Sequence, residues 1–222
     1  MITLHHSAET RSMRILWLLH ELGVEFHVVP HAFDKSLRAP EFLSLSPAGR
    51  VPALELEGER MFESGAMVEY LCERYPERGL GRLPGDMDRM AWLVWIHFAE
   101  TVSQHAAALT QQHIALYDDA MRSPIIMKLE AARLRKCYAA IEARLSTPIE
   151  NRDYLLTGGF SACDICVGQA VYMARHFARI DDFPEMSRWY ARITERESFK
   201  ASLPGPDTTR LFEQDFYEAW DV

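Results

Sequence analysis

The chain reads as a small α/β unit followed by a longer unit built only of helices, and three features of its 222 residues say so. Up to Tyr75, short apolar runs alternate with stretches of helical periodicity, the pattern of strands interleaved with helices. From Pro76 to Gly85 the run Pro-Glu-Arg-Gly-Leu-Gly-Arg-Leu-Pro-Gly has no period and many helix breakers, which marks a linker. Beyond it only helical periodicity recurs. The expected boundaries are 1–76 for the α/β unit, 77–85 for the linker and 86–222 for the all-helical unit.

Within the first unit, Ile2 to His5 reads as a strand, Arg11 to Leu22 as a helix closed by Gly23, and Phe26 to Val29 as a second strand. Ala53 to Leu56 and Arg60 to Phe62 form a hairpin across Glu57-Gly58-Glu59, and Ser64 to Tyr75 supplies the last helix. This order of elements is that of a thioredoxin-like domain. In the second unit, Asp86 to about Tyr117 carries Trp92, Trp95, Ile96 and Ala99 at helical spacing. Ser123-Pro124 offers an N-cap with proline at the first helical position before a helix reaching Leu145, which Pro148 ends. Ser161 followed three residues later by Asp164 resembles a capping box, with Phe160 and Ile165 placed to close a hydrophobic staple, for a helix running to Phe177. A further helix spans Glu185 to Arg196. The tail from Pro204 to Val222 mixes Leu211, Phe212, Phe216, Tyr217 and Trp220 with acids, so it is expected to pack down.

Composition narrows the function classes. A formal net charge of −8 with dispersed Lys and Arg argues against nucleic acid, which needs a concentrated basic face. No apolar run approaches the roughly 18 to 20 residues that span a bilayer, and no basic-then-apolar leader opens the chain, so a cytoplasmic location is expected. Cys72, Cys137, Cys163 and Cys166 have no disulfide-framework spacing and read as reduced thiols, the last two packed on an apolar helix face. Nine histidines invite a metal reading, yet none forms a His-x-x-x-His pair with a third acidic ligand, so no metal is expected.

Two neighbouring segments carry chemistry. In Pro47-Ala48-Gly49-Arg50-Val51-Pro52-Ala53-Leu54, a Val-Pro pair opening an apolar run suits a cis peptide bond, with the Val51 N–H and C=O turned outward to pair with an extended peptide. In Phe62-Glu63-Ser64-Gly65-Ala66, Ser64 stands where a helix begins. The free N–H groups and dipole there attract a carboxylate, the Ser64 hydroxyl adds a donor, and Glu63 offers a partner for an α-ammonium. Taken singly, these are also what an ordinary N-cap and an ordinary strand start look like; together they match the charged head and main chain of a γ-glutamyl peptide.

Here the sequence resembles the glutathione transferase family. The two segments are similar to that family's glutathione-binding signature, and Ile2-Thr3-Leu4-His5-His6-Ser7 followed by Arg11-Ser12-Met13-Arg14-Ile15-Leu16-Trp17-Leu18-Leu19 resembles the start of its bacterial and fungal members. Gly158-Gly159-Phe160-Ser161-Ala162-Cys163-Asp164-Ile165 resembles the capping element of its second domain. The resemblance implies that Arg50 reaches the glycyl carboxylate, that the protein is a homodimer, and that the second substrate is a small electrophile.

Such an enzyme must lower the pKa of the glutathione thiol, because the thiolate is the nucleophile. The loop Ser7-Ala8-Glu9-Thr10-Arg11-Ser12 offers three hydroxyls at a helix start. Thr10 is the first choice, since the family classes that use serine place the activating hydroxyl four residues before an arginine equivalent to Arg14; Ser7 and Ser12 stay open, and Thr10 also stands where a helix cap would. Arg11 is a weaker electrostatic candidate. The loop has no cysteine, which disfavours disulfide exchange. The electrophile is expected between the domains, against a helix face carrying Phe98, Thr101 and His105, near His97. Conjugation is the leading expectation; peroxidase, isomerase or dehalogenase chemistry and a non-catalytic glutathione- or protein-binding module are the alternatives.

Overall fold

A computed structural model of the chain describes residues 1–146 and 153–221. The first unit opens with strand β1 (Ile2–His6), helix α1 (Ser12–Leu22) and strand β2 (Phe26–Pro30), and closes with strands β3 (Ala53–Leu56) and β4 (Glu59–Phe62) and helix α3 (Ser64–Arg74). Between them lie a 3₁₀ turn at Lys35–Arg38 and the one-turn helix α2 (Pro40–Leu43), both too short to leave a period in the sequence. The sheet order is β2-β1-β3-β4. β1 runs parallel to β2, with Ile2 opposite Phe26, and antiparallel to β3, with Ile2 opposite Leu56. This is the thioredoxin-like arrangement.

Each boundary has a local cause. Met13, Ile15, Trp17, Leu18, Leu19 and Leu22 of α1 are fully buried, so the helix is held from several sides. It stops at Gly23, whose left-handed φ of 64° lets its N–H return to the His20 carbonyl at 3.1 Å. The hairpin turn is two residues rather than the three expected: Glu57 and Gly58 both take positive φ, the conformation a tight hairpin turn demands, which frees Glu59 to pair with Leu56. Around α2, Leu37, Phe42 and Val51 form a small buried cluster that seats the segment leading into β3. Gly49 is required there, because at φ 61° an added Cβ would stand 2.9 Å from the Leu37 carbonyl oxygen.

The second unit contains α4 (Arg89–Thr110), α5 (Pro124–Leu145), α6 (Ala162–Ala174) and α7 (Pro184–Thr194). α4 buries Trp92, Ile96, Ala99, Val102, Ser103, Ala106 and Leu109 along one stripe, and it passes into a π-type turn at Gln111–Ala115 before Tyr117. α5 is capped by Ser123 and opened by Pro124, as expected. Its expected stop at Pro148 lies outside the described residues. α6 is buried almost all round and forms the centre of this unit. The tail packs down on the segment that follows α6: Phe212 stacks on His176 with ring centroids 4.2 Å apart, Tyr217 donates its N–H to the His176 carbonyl at 2.8 Å, and Phe216 lies under Arg179.

One boundary differs from expectation. The compact first unit comprises Met1–Arg89 and also Glu195–Leu211, so the linker and a late segment both belong to it. The linker is pressed onto α3, where a Cβ on Gly81 would come 2.7 Å from Cys72 Cβ. Within the late segment, α8 (Glu197–Ser202) packs on α1. Phe199 meets Trp17 edge to face at 4.9 Å, and Glu21 accepts from Arg196 Nε at 3.1 Å and from the Ser198 hydroxyl.

Candidate active site

At the end of β1 the chain makes a tight loop whose hydroxyls bind one another. Ser12 Oγ lies 2.8 Å from Thr10 Oγ1, 2.9 Å from the Ser7 carbonyl and 2.8 Å from His6 Nδ1, and it accepts the Ser7 N–H at 3.1 Å. Thr10 Oγ1 also reaches the Ser7 carbonyl at 2.8 Å. Ser7, Thr10 and Ser12 are all buried. The cap position of α1 falls on Arg11, which makes no side-chain cap bond; Thr10 stands one residue earlier, and its Oγ1 accepts the Ser12 N–H two residues on at 3.3 Å, as a capping hydroxyl does. The Thr10 and Ser12 hydroxyls expected from sequence are therefore brought together, Ser7 joins them through its backbone N–H and carbonyl, and the cap bond also expected of Thr10 is present. His6 joins them unforeseen. Burial pushes its pKa down to about 4, against a smaller opposing contribution from Ser12, so it is neutral near pH 7.

Glu9, in the same loop, adopts a left-handed φ of 54° and is buried, its carboxylate accepting the Leu211 N–H at 2.6 Å. A non-glycine residue in that region costs free energy, and the loop sustains it through this long-range bond.

The second cluster stands at the head of α3. Ser64 is buried, and its Oγ accepts from Arg14 Nη1 at 3.3 Å; Arg14 itself is fully buried. Among the described residues the N–H groups of Ser64, Gly65 and Ala66 make no hydrogen bond, as the first turn of an uncapped helix leaves them. Glu63, before them, is exposed with a φ of 75°, a second backbone outlier beside a candidate residue. Nearby in sequence, Arg50 is exposed, the Val51–Pro52 bond is cis, and the Val51 N–H and C=O take part in no turn or cap bond among the described residues. Arg14 was legible only as a spacing marker for Thr10; that it would bond Ser64, fifty residues away in sequence, has no local signal.

On α4, Thr101 is exposed, Phe98 is half-buried against Trp95 with ring centroids 5.2 Å apart, and His105 Nδ1 lies 2.6 Å from Glu130 Oε2. His105 is thus held by an acidic partner on α5. Cys72, Cys137, Cys163 and Cys166 are unbridged and buried, and the Cys163 thiol donates to the Trp92 carbonyl at 3.3 Å. Among the described residues no three His, Cys, Asp or Glu side chains converge as metal ligands, and no helix is long and apolar enough to cross a membrane.

Two family models match the chain in order: the N-terminal domain of glutathione S-transferase over residues 1–73 and its C-terminal domain over residues 125–197. Glutathione S-transferase 1 of Saccharomyces cerevisiae is 27% identical over 223 residues, covering 91% of this chain and 94% of that protein. Glutathione S-transferase 3 of Zea mays is 28% identical over 210 residues, covering 87% of this chain and 90% of that one. In three dimensions the fold matches a glutathione transferase homologue from Lodderomyces elongisporus, crystallised with two glutathione molecules per subunit, with a TM-score of 0.81 at 18% identity over 90% of this chain and 96% of that one. Sequence signature, sheet order and both halves of the family pattern agree, and the chain belongs to the glutathione transferase family.

Proposed function

We propose that the chain is an enzyme that binds glutathione along Arg50, Val51, Pro52, Glu63 and Ser64, stabilises its thiolate with the Thr10 hydroxyl, and transfers the sulfur to a small apolar electrophile. The observation that carries this reading is the Ser64 hydroxyl, held by the buried Arg14 guanidinium beside the open first turn of α3. A carboxylate placed there meets a hydroxyl donor, free backbone N–H groups and a nearby fixed positive charge. Glu63 suits the ammonium of the same amino-acid head, and the Val51 N–H and C=O, which take part in no turn or cap bond among the described residues, suit the cysteinyl unit.

The thiolate then needs a donor, and the Thr10 group stands at the start of α1, where the helix also favours negative charge. On α4, Phe98 offers apolar surface and Thr101 and His105 polar edges to the electrophile, with His105 fixed by Glu130. A cytoplasmic homodimer completes the reading. Exposed Phe62 and Tyr70 in the first unit, and exposed Met90 and Val94 in the second, are apolar surface that a second copy would cover.

Calorimetric titration with glutathione, paired with turnover of an activated aryl halide and of an organic hydroperoxide, tests this. Ser64→Ala is expected to weaken glutathione binding by about tenfold or more, the worth of a hydrogen bond to a charged group. Thr10→Val is expected to bind normally and turn over roughly a hundredfold more slowly. Undiminished binding by Ser64→Ala would remove the receptor; binding without turnover of either substrate would leave a non-catalytic module, and turnover of the hydroperoxide alone a peroxidase.

A further inference from the structure

The Ser12 hydroxyl has one proton and three takers: the Ser7 carbonyl at 2.9 Å, Thr10 Oγ1 at 2.8 Å and His6 Nδ1 at 2.8 Å. It is also fully buried, so water does not arbitrate. What decides is the tautomer of His6. With the ring proton on Nε2, Ser12 donates to Nδ1, and its oxygen is left to accept the Thr10 proton, which draws that donor inward. With the ring proton on Nδ1, His6 donates to Ser12 Oγ. Together with the Ser7 N–H at 3.1 Å this fills both lone pairs of that oxygen. Thr10 can no longer donate to Ser12, and Ser12 can instead donate to Thr10. The Thr10 proton is then left for the Ser7 carbonyl or for an anion, and an anion is the stronger acceptor.

We propose that His6 is a positioning residue: its Nδ1–H, acting through the Ser12 hydroxyl, turns the Thr10 proton toward the sulfur of bound glutathione. This rests on the reading of Thr10 as the thiol-activating group. The chain His6 N–H to Ser12 O–H to Thr10 O–H to sulfur runs in one direction, so each donor polarises the next. A neutral imidazole serves here, and burial keeps His6 neutral.

The thiolate of bound glutathione absorbs in the ultraviolet, so its pH titration can be followed in Thr10→Val, Ser12→Ala, His6→Phe, His6→Asn and the Ser12→Ala/His6→Phe pair. His6→Phe and Ser12→Ala should each lower the bound thiolate fraction roughly threefold to tenfold near the midpoint, as loss of one hydrogen bond would. The affinity for glutathione should stay within about twofold. The pair should be no worse than Ser12→Ala alone, because His6 acts through Ser12. His6→Asn, whose amide N–H falls near the position of Nδ1–H, should recover the wild-type profile. A His6→Phe titration identical to wild type beside a shifted Thr10→Val one would overturn the role of His6 and leave Thr10 in place. An unshifted Thr10→Val titration would instead remove Thr10 itself. Additive effects in the pair, or no recovery in a folded His6→Asn, would also overturn the relay.

Discussion

Two helix starts in this molecule carry the same kind of capping hydroxyl among different partners. At α6, Ser161 Oγ accepts the Cys163 N–H at 3.3 Å while Asp164 accepts the Ser161 N–H at 2.9 Å, and both halves of a capping box are present. Asp164 accepts from the Leu155 N–H at 3.0 Å and the Trp189 indole at 2.8 Å as well. At α1, the Thr10 and Ser12 hydroxyls bond each other, Ser12 also bonds His6 and Thr10 also accepts the Ser12 N–H at 3.3 Å, while the N–H groups of Met13 and Arg14 turn back onto the Thr10 and Arg11 carbonyls. The α6 start is committed to holding its unit together. The α1 start also uses a capping hydroxyl, but that hydroxyl is bonded to a second one, Ser12, and through it to His6. On the proposed reading, a capping hydroxyl serves in addition as a proton donor to a ligand when its other partners are hydroxyls rather than a buried carboxylate.

The largest effect that distinguishes them should come from Asp164→Ala. It strands three buried N–H donors, from Leu155, Ser161 and Trp189, each costing about 1 to 3 kcal/mol, and removes the acceptor of the longer Ser161 hydroxyl bond at 3.4 Å, so a loss on the order of 4 kcal/mol in denaturant unfolding is expected. A loss below about 1 kcal/mol would mean that the α6 start is no more structural than the α1 start.

How much of this was legible follows the range of each interaction. The α6 cap could be read because Ser161 and Asp164 are three residues apart, and the β3–β4 hairpin because its turn is local. α8 could not. Its partners on α1, Trp17 and Glu21, precede it by about 180 residues, and nothing in the pattern around Phe199 marks it as belonging to the first unit. The site divides the same way: Thr10, Ser12 and Ser64 could be named from local sequence, whereas the Arg14–Ser64 bond joins positions that no periodicity links. His6 lies only six residues from Ser12, yet a histidine ending a strand has no spacing signature of its own.

The next difference lies in pH, where the two starts pull in opposite directions. Burial lowers His6 from its ordinary 6.5 to about 4, so between those values the unfolded chain holds a proton that the native one does not. Stability falls as pH drops through that window. Burial raises Asp164 from 3.8 to about 6, against the hydrogen bonds from Trp189, Leu155 and Ser161, so there the native state holds the extra proton and gains as pH falls from about 6 toward 3.8. His6→Phe removes the first contribution and keeps the second. Its unfolding free energy, measured from pH 7 down to pH 4, should fall less steeply than that of the wild type. Equal slopes would show that His6 does not stay neutral in the folded state.

Ser161→Ala should give the smallest effect of the three, because it removes one side of the box and leaves the carboxylate in place. The Cys163 N–H loses its acceptor at 3.3 Å, while Asp164 keeps the backbone donors of Leu155 and Ser161 and the Trp189 indole. A cost of about 1 kcal/mol in thermal or denaturant unfolding is expected, the usual worth of an N-cap hydroxyl. Turnover per folded molecule should be unchanged, since Ser161 supplies no group to the candidate site. Ser12→Ala, at the other helix start, should show the reverse: a change in thiolate titration that exceeds what its loss of stability explains. If the two substitutions instead changed stability and titration in the same proportion, the division between a structural and a proton-directing helix start would fail.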